Sequence, residues 1–91
     1  MKEIRCHMIV RGRVQGVGFR YRAEHAAQTL CLTGWVRNEY DGSVTLEAQG
    51  SPDAVLQLLP MIAQGRYVEI TGVTRKIIPP DPEERGFSVL D

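Results

Sequence analysis

The sequence predicts an α+β fold with the element order β-α-β-β-α-β and a short C-terminal edge strand. Two observations carry this prediction. Apolar residues alternate with polar ones in segments typical of half-buried strands, and between these segments they recur at the spacing of amphipathic helices. Such a pattern places two helices on one face of an antiparallel sheet. Ninety-one residues suffice for one small core but not for two, so we expect a single domain over residues 1–91.

The first half of the chain predicts a strand, a helix and a hairpin. Residues 3–11 alternate in polarity and predict a strand with one buried face. A helix is predicted from Phe19 to Leu30, because four apolar residues share one helical face: Ala23, Ala26, Ala27 and Leu30. Residues 33–38 predict a second strand, and the sequence "YDGS" favours a tight turn into a third strand that starts at Val44.

A second helix is predicted from Ser51, which is typical of an N-cap residue, and Pro52, which suits the first helical position. Its apolar face comprises Val55, Leu58, Leu59 and Ile62. Pro60 predicts a kink or an early end near Leu59, because proline removes one backbone hydrogen bond.

The last third of the chain predicts two more strands. Residues 67–72 alternate and predict a fourth strand, whereas three prolines make residues 78–86 a loop. Phe87 and Val89 then predict a short strand at an edge of the sheet. This element order is that of a ferredoxin-like sandwich.

Composition narrows the classes of function. Eleven basic and eleven acidic residues give a formal net charge of zero, which disfavours a general electrostatic affinity for nucleic acid or anionic membranes. Cys6 and Cys31 lie far apart without a CxxC motif or a nearby histidine pair, so we expect no metal site. The chain has no secretory apolar region and no run of about 20 apolar residues, which predicts a cytoplasmic protein without a membrane segment.

The sequence "GRVQGVGFR", residues 12–20, joins the first strand to the first helix. Backbone N–H groups can converge at such a junction, and the helix N-terminus adds about half a positive charge, so the junction can bind an anion. Gly16 and Gly18 permit the backbone conformations that this requires, and Arg20 offers a guanidinium suited to phosphate or carboxylate. The alternative is a plain tight turn beside a surface arginine.

Asn38 is the second candidate for a functional residue. Strand alternation places it on the same face as Val36, towards the helices and near the start of the first helix. We therefore expect the carboxamide of Asn38 to lie beside Arg20. The alternative is that Asn38 simply begins the hairpin, since asparagine is common in turns.

These residues carry a resemblance. "GRVQGVGFR", the asparagine of "GWVRN" eighteen positions after Arg20, and "DGSV" together resemble the acylphosphatase family, and the likeness runs from about Ile4 to Val89. It implies hydrolysis of the carboxyl–phosphate bond of small acyl phosphates without a metal or an organic cofactor. Inorganic phosphate would be the product and a competitive inhibitor. The chain departs from the family in its ending, "FSVLD", where a basic residue is common.

The resemblance also implies residue roles. Arg20 matches the phosphate-binding arginine, and Asn38 matches the asparagine that orients the attacking water. A backbone cradle for the phosphoryl group matches Gly12, Arg13, Val14, Gln15, Gly16, Val17, Gly18 and Phe19.

Two other functions fit a ferredoxin-like domain. An RNA-binding module would stack bases on aromatic side chains of the open sheet face, but that face offers only Trp35, and an arginine cluster is the one feature in favour. The resemblance also allows a non-catalytic module that binds acyl or carbamoyl phosphate within a larger protein. Because the chain ends at residue 91 with no second domain, we expect the free enzyme, acting as a monomer.

Overall fold

The structure, a computed structural model, describes residues 2–90. Its elements follow the predicted order: β1 (Ile4–Arg13), α1 (Phe19–Thr29), β2 (Thr33–Asn38), β3 (Val44–Gly50), α2 (Pro52–Ile62), β4 (Glu69–Ile78) and β5 (Phe87–Leu90). Neither α1 nor α2 is long and apolar enough to cross a membrane.

Five strands form one sheet in the order β4-β1-β3-β2-β5. The first four pair antiparallel as predicted, but β5 pairs parallel to β2, so the prediction of a wholly antiparallel sheet is wrong at this edge. The direction of β5 follows from the path of the connection between β4 and β5. Residues 79–86 cross the sheet at the end where β4 stops and β2 starts, so β5 begins at the same end as β2 and runs in the same direction.

Both helices cover one face of the sheet, and the core lies between these two layers. Alternation places Cys6, Met8 and Val10 of β1 on this face, and all three are buried as the sequence predicts. Val36 and Leu46 from the neighbouring strands meet them there and are completely buried. The predicted α+β sandwich is therefore confirmed.

Two elements differ in extent from their predictions. α2 does not end near Leu59 but continues to Ile62, because Pro60 lies on the exposed side of the last turn and removes only its own hydrogen bond. Ala63 still donates its N–H to the carbonyl of Leu59 at 2.8 Å. β4 extends to Ile78 rather than to residue 72, because β1 offers it a pairing partner along nearly its whole length.

The other face of the sheet is open, and residues 79–86 are fixed on it by a buried arginine. Arg5 is only 5% exposed and binds both carboxylate oxygens of Glu84, at 2.7 and 3.0 Å. Its Nε also donates to Glu47 at 2.9 Å, and the other oxygen of Glu47 lies 2.7 Å from Nδ1 of His7. The hydrogen bond to Glu84 is the largest of the effects that raise the pKa of Arg5. This network holds the connection to β5.

Candidate active site

The loop between β1 and α1 is anchored at both ends and open in the middle. Val14 and Phe19 are each 1% exposed and pack into the core. Between them, Gly16 and Gly18 have φ angles of 72° and 81°, in the left-handed region where a side chain costs about 1 to 2 kcal/mol. A Cβ atom at either glycine would meet nothing within 4 Å, so these residues border open space. The loop therefore has a fixed backbone and an accessible surface.

The start of α1 is suited to an anion. Gly18 is the N-cap residue, so no side-chain oxygen caps the first N–H groups, and the first turn contains no acidic residue. The carbonyl of Gly18 accepts the N–H of Arg22 at 3.0 Å, which begins the helical hydrogen bonds. The preceding N–H groups and the helix dipole are then available to a negatively charged ligand.

Arg20 and Asn38 meet at this loop. They line one cavity of about 190 Å³ together with Val14, Gly16, Gly18, Phe19 and Tyr21. Asn38 is the last residue of β2, on the same face as the buried Val36, as the alternation predicts. Within residues 2–90, its Oδ1 is buried and has no hydrogen-bond partner.

Arg20 contacts the C-terminal strand, β5. Its Nη1 donates to the carbonyl of Leu90 at 3.4 Å. Over the described part of the chain, no carboxylate pairs with its guanidinium. The remaining N–H groups can therefore bind two oxygens of one ligand anion.

A side chain of the loop ties it to the end of β2. Nε2 of Gln15 donates to the carbonyl of Glu39 at 2.8 Å and to that of Ser43 at 2.9 Å. The N–H of Glu39 donates to the same Ser43 carbonyl at 2.8 Å. Because Glu39 directly follows Asn38, Gln15 fixes the loop relative to the asparagine.

The β2–β3 hairpin, whose carbonyl groups bind Gln15, is stabilised by its own hydrogen bonds. Asp41 accepts two hydrogen bonds from Ser43, at 2.6 Å from Oγ and at 3.0 Å from the backbone N–H. The first of these is the main reason why the pKa of Asp41 lies below its usual value. Gly42 supplies the positive φ of 93° that the predicted turn requires.

The remaining residues of the predicted cradle do not line the cavity. Gly12 and Arg13 belong to β1 and pair with β4, next to a bulge that follows Arg11. A Cβ on Gly12 would collide with the carbonyl oxygen of Glu69, so glycine is required there by strand packing. Val17 packs partly buried against the core.

Sequence reasoning missed three features of this site: the hydrogen bonds of the Gln15 side chain, the carbonyl of Leu90 and the contribution of Tyr21 to the cavity. For the hydrogen bonds of Gln15, the only indication in the sequence was a lone glutamine between valine and glycine. The second is a backbone contact across 70 residues, which no side-chain pattern announces. Among residues 2–90, no group of three or more histidines, cysteines and acidic residues is placed to hold a metal ion.

Comparison with known proteins identifies the family. A model of the acylphosphatase family matches residues 6–89. An acylphosphatase of Bifidobacterium longum is 49% identical over 94% of this chain and 91% of its own length, and one of Geobacillus thermodenitrificans is 42% identical over 94% and 93%. The crystal structure of an acylphosphatase from Bacillus subtilis superposes with a TM-score of 0.89 at 31% identity, over 97% of this chain and 99% of its own. The chain therefore belongs to the acylphosphatase family.

Proposed function

We propose that the chain hydrolyses acyl phosphates in the cavity lined by Arg20, Asn38 and the loop between β1 and α1. One observation carries the proposal: Asn38 lines the same cavity as Arg20, and its buried Oδ1 lacks a partner among the described residues. A buried polar atom without a partner is costly, and a bound water molecule would satisfy it. Asn38 is thus suited to hold the water that attacks.

The phosphoryl group would be bound by the loop and by Arg20. N–H groups at residues 16–20 and the guanidinium would surround its oxygens, where charge is spread in the transition state. Phosphoryl transfer of this kind depends on positioning and charge stabilisation, and a carboxylate is already a good leaving group.

The reaction would proceed with water as the nucleophile. Asn38 accepts a hydrogen bond from the water, whose oxygen attacks phosphorus while the bond from phosphorus to the carboxylate oxygen breaks. The carboxylate leaves with the electron pair of that bond. No histidine, aspartate or glutamate is among the described residues that line the cavity, so a phosphoryl oxygen of the substrate would accept the proton of the water. The products are a carboxylate and inorganic phosphate.

We further infer that inorganic phosphate is a competitive inhibitor, because it offers the same oxygens to the same N–H groups. We also propose that the protein acts as a monomer. Phosphate inhibition against a varied acyl phosphate, and the sedimentation coefficient, test these two statements.

The experiment that tests the function is phosphate release from benzoyl phosphate, compared with release from a phosphate monoester such as 4-nitrophenyl phosphate. Hydrolysis of benzoyl phosphate with little of the monoester supports the proposal. Binding of an acyl phosphate without hydrolysis would instead favour a non-catalytic module, and a similar rate on both substrates would contradict the proposed class.

Variants of the two side chains separate their roles. Arg20→Ala removes charge and donors together, so we expect weaker phosphate inhibition and a loss of roughly 100- to 1,000-fold in kcat/KM. Arg20→Lys should have a kcat/KM little higher than that of Arg20→Ala, because an ammonium group does not replace a planar guanidinium. Asn38→Ala should lower kcat with little change in phosphate inhibition. Arg75→Ala, at an exposed arginine of β4, is the matched control.

An Asn38→Ala protein whose kcat stayed within a few-fold of the wild type would contradict the water-orienting role. Unchanged phosphate inhibition in Arg20→Ala would likewise contradict the role of the guanidinium.

A further inference from the structure

A groove of about 260 Å³ runs between α1 and α2, beside the catalytic cavity. Tyr21, His25 and Ala26 of α1 line it on one side, and Met61 of α2 lines it on the other. Neither helix carries an acidic residue into this groove, and none of the functions described above uses it.

Tyr21 connects the groove to the catalytic cavity. It directly follows Arg20 in the chain and contributes to the lining of both spaces. Its side chain is 65% exposed. The ring lies against that of His25, with centroids 4.4 Å apart and planes inclined by 47°. The two rings form an aromatic surface that adjoins the cavity at Tyr21.

The position of the groove is fixed by contacts between the helices. Nε of Arg22 donates to the carbonyl of Ile62 at 3.3 Å, so this charge is directed at a backbone oxygen. Gly65 leaves room for the same arginine, because a Cβ there would lie 2.6 Å from its Cδ. The groove therefore exists before a ligand binds, which reduces the cost of ordering it.

The chemistry of an acyl phosphate defines what reaches this surface. The phosphoryl group occupies the anion site at residues 14–20, so the acyl group has to leave the cavity past one of its walls. Tyr21 forms the wall that continues into the aromatic surface of Tyr21 and His25. We propose that the Tyr21–His25 surface and the groove behind it are the binding site for the acyl group, and that they favour aromatic or extended apolar acyl groups over acetyl. This rests on the proposed function, because it assumes that the phosphoryl group binds at Arg20.

The test compares benzoyl phosphate with acetyl phosphate. Stacking on an aromatic side chain contributes enough to change affinity roughly threefold to tenfold. We therefore expect Tyr21→Ala to lower the ratio of kcat/KM for benzoyl phosphate to that for acetyl phosphate by this factor. The fall in kcat/KM for acetyl phosphate should be smaller than the fall for benzoyl phosphate, and Tyr21→Phe should retain the wild-type ratio. Tyr67→Ala, at a tyrosine that is 60% exposed elsewhere on the surface, is the matched control.

The outcomes are distinguishable. An unchanged ratio in Tyr21→Ala overturns the acyl site while leaving the proposed function intact. An equal fall for both substrates also overturns it, because Tyr21 would then act on the phosphoryl site. If the wild type hydrolyses neither substrate, the proposed function fails and the acyl site fails with it.

Discussion

Replacing Gln15 by methionine tests how the position of Asn38 is fixed. Methionine keeps the length and approximate volume of the side chain but removes both donated hydrogen bonds, at 2.8 and 2.9 Å. Neither carbonyl would be left without a partner, since Glu39 O also accepts the N–H of Gly42 at 3.2 Å and Ser43 O also accepts that of Glu39. The loss of unfolding free energy should therefore be about 1 to 2 kcal/mol in total, the net value of two ordinary hydrogen bonds.

The same variant should lose activity by more than its lost stability explains. The Gln15 amide spans the gap between the loop and the residue after Asn38, and a shift of about 1 Å in a positioned group can cost on the order of 100-fold in rate. We expect kcat on benzoyl phosphate to fall at least tenfold, while phosphate inhibition changes less, because the loop backbone and Arg20 remain.

Urea unfolding and steady-state kinetics under fully folded conditions separate the two effects. Gln57→Met, at an exposed glutamine of α2, controls for the substitution itself. A Gln15→Met protein with the expected loss of stability but an unchanged kcat would refute the reasoning, because the tether would then be structural only.

Two further predictions concern stability. Gly18→Ala should lower the unfolding free energy by about 1 to 2 kcal/mol, because alanine is unfavourable in the left-handed backbone conformation of Gly18. Gly72→Ala is the control: its backbone angle is ordinary and space is open, so the unfolding free energy should change by less than about 0.5 kcal/mol. Equal effects of the two substitutions in urea unfolding would argue against a strained loop. For Glu47, burial favours the neutral form, but hydrogen bonds from His7 and Arg5 outweigh it and hold the pKa below the usual 4.5. The contribution of Glu47 to stability is therefore present above pH 4.5 and is lost as the pH falls through the lowered pKa. Glu47→Gln should therefore make the unfolding free energy depend less on pH in this acid range. Parallel profiles of unfolding free energy against pH for the variant and the wild type would contradict this prediction.

The sequence predicted those parts of the molecule that depend on local periodicity. Alternation along β2 placed Asn38 on the helix side next to Val36, and helical spacing started α1 at Phe19, so the convergence of Asn38 and Arg20 was foreseeable. Features that depend on long-range strand pairing could not be predicted from the sequence. The parallel direction of β5 is set by where residues 79–86 cross the sheet, and no residue within β5 encodes it.

Side-chain hydrogen bonds across the fold were equally hidden. Gln15 lies in a loop where only the backbone was expected to matter, yet its amide reaches carbonyls 24 and 28 residues away. A glutamine offers two donors and an acceptor in any direction, so its partner becomes evident only when the neighbouring strand end is in place.

The proposed function requires a chain without net charge to bind a phosphoryl group. Eleven basic residues are balanced by eleven acidic ones, so attraction cannot come from the protein as a whole. It has to come from donors concentrated at one point: the start of α1, the open loop at Gly16 and Gly18, and Arg20. Such donors act only if the backbone is held before the ligand arrives, which is the effect of burying Val14 and Phe19 on either side of the loop. In the proposed function, the buried Val14 and Phe19 therefore contribute to binding without touching the substrate, because the loop is already ordered when the ligand binds.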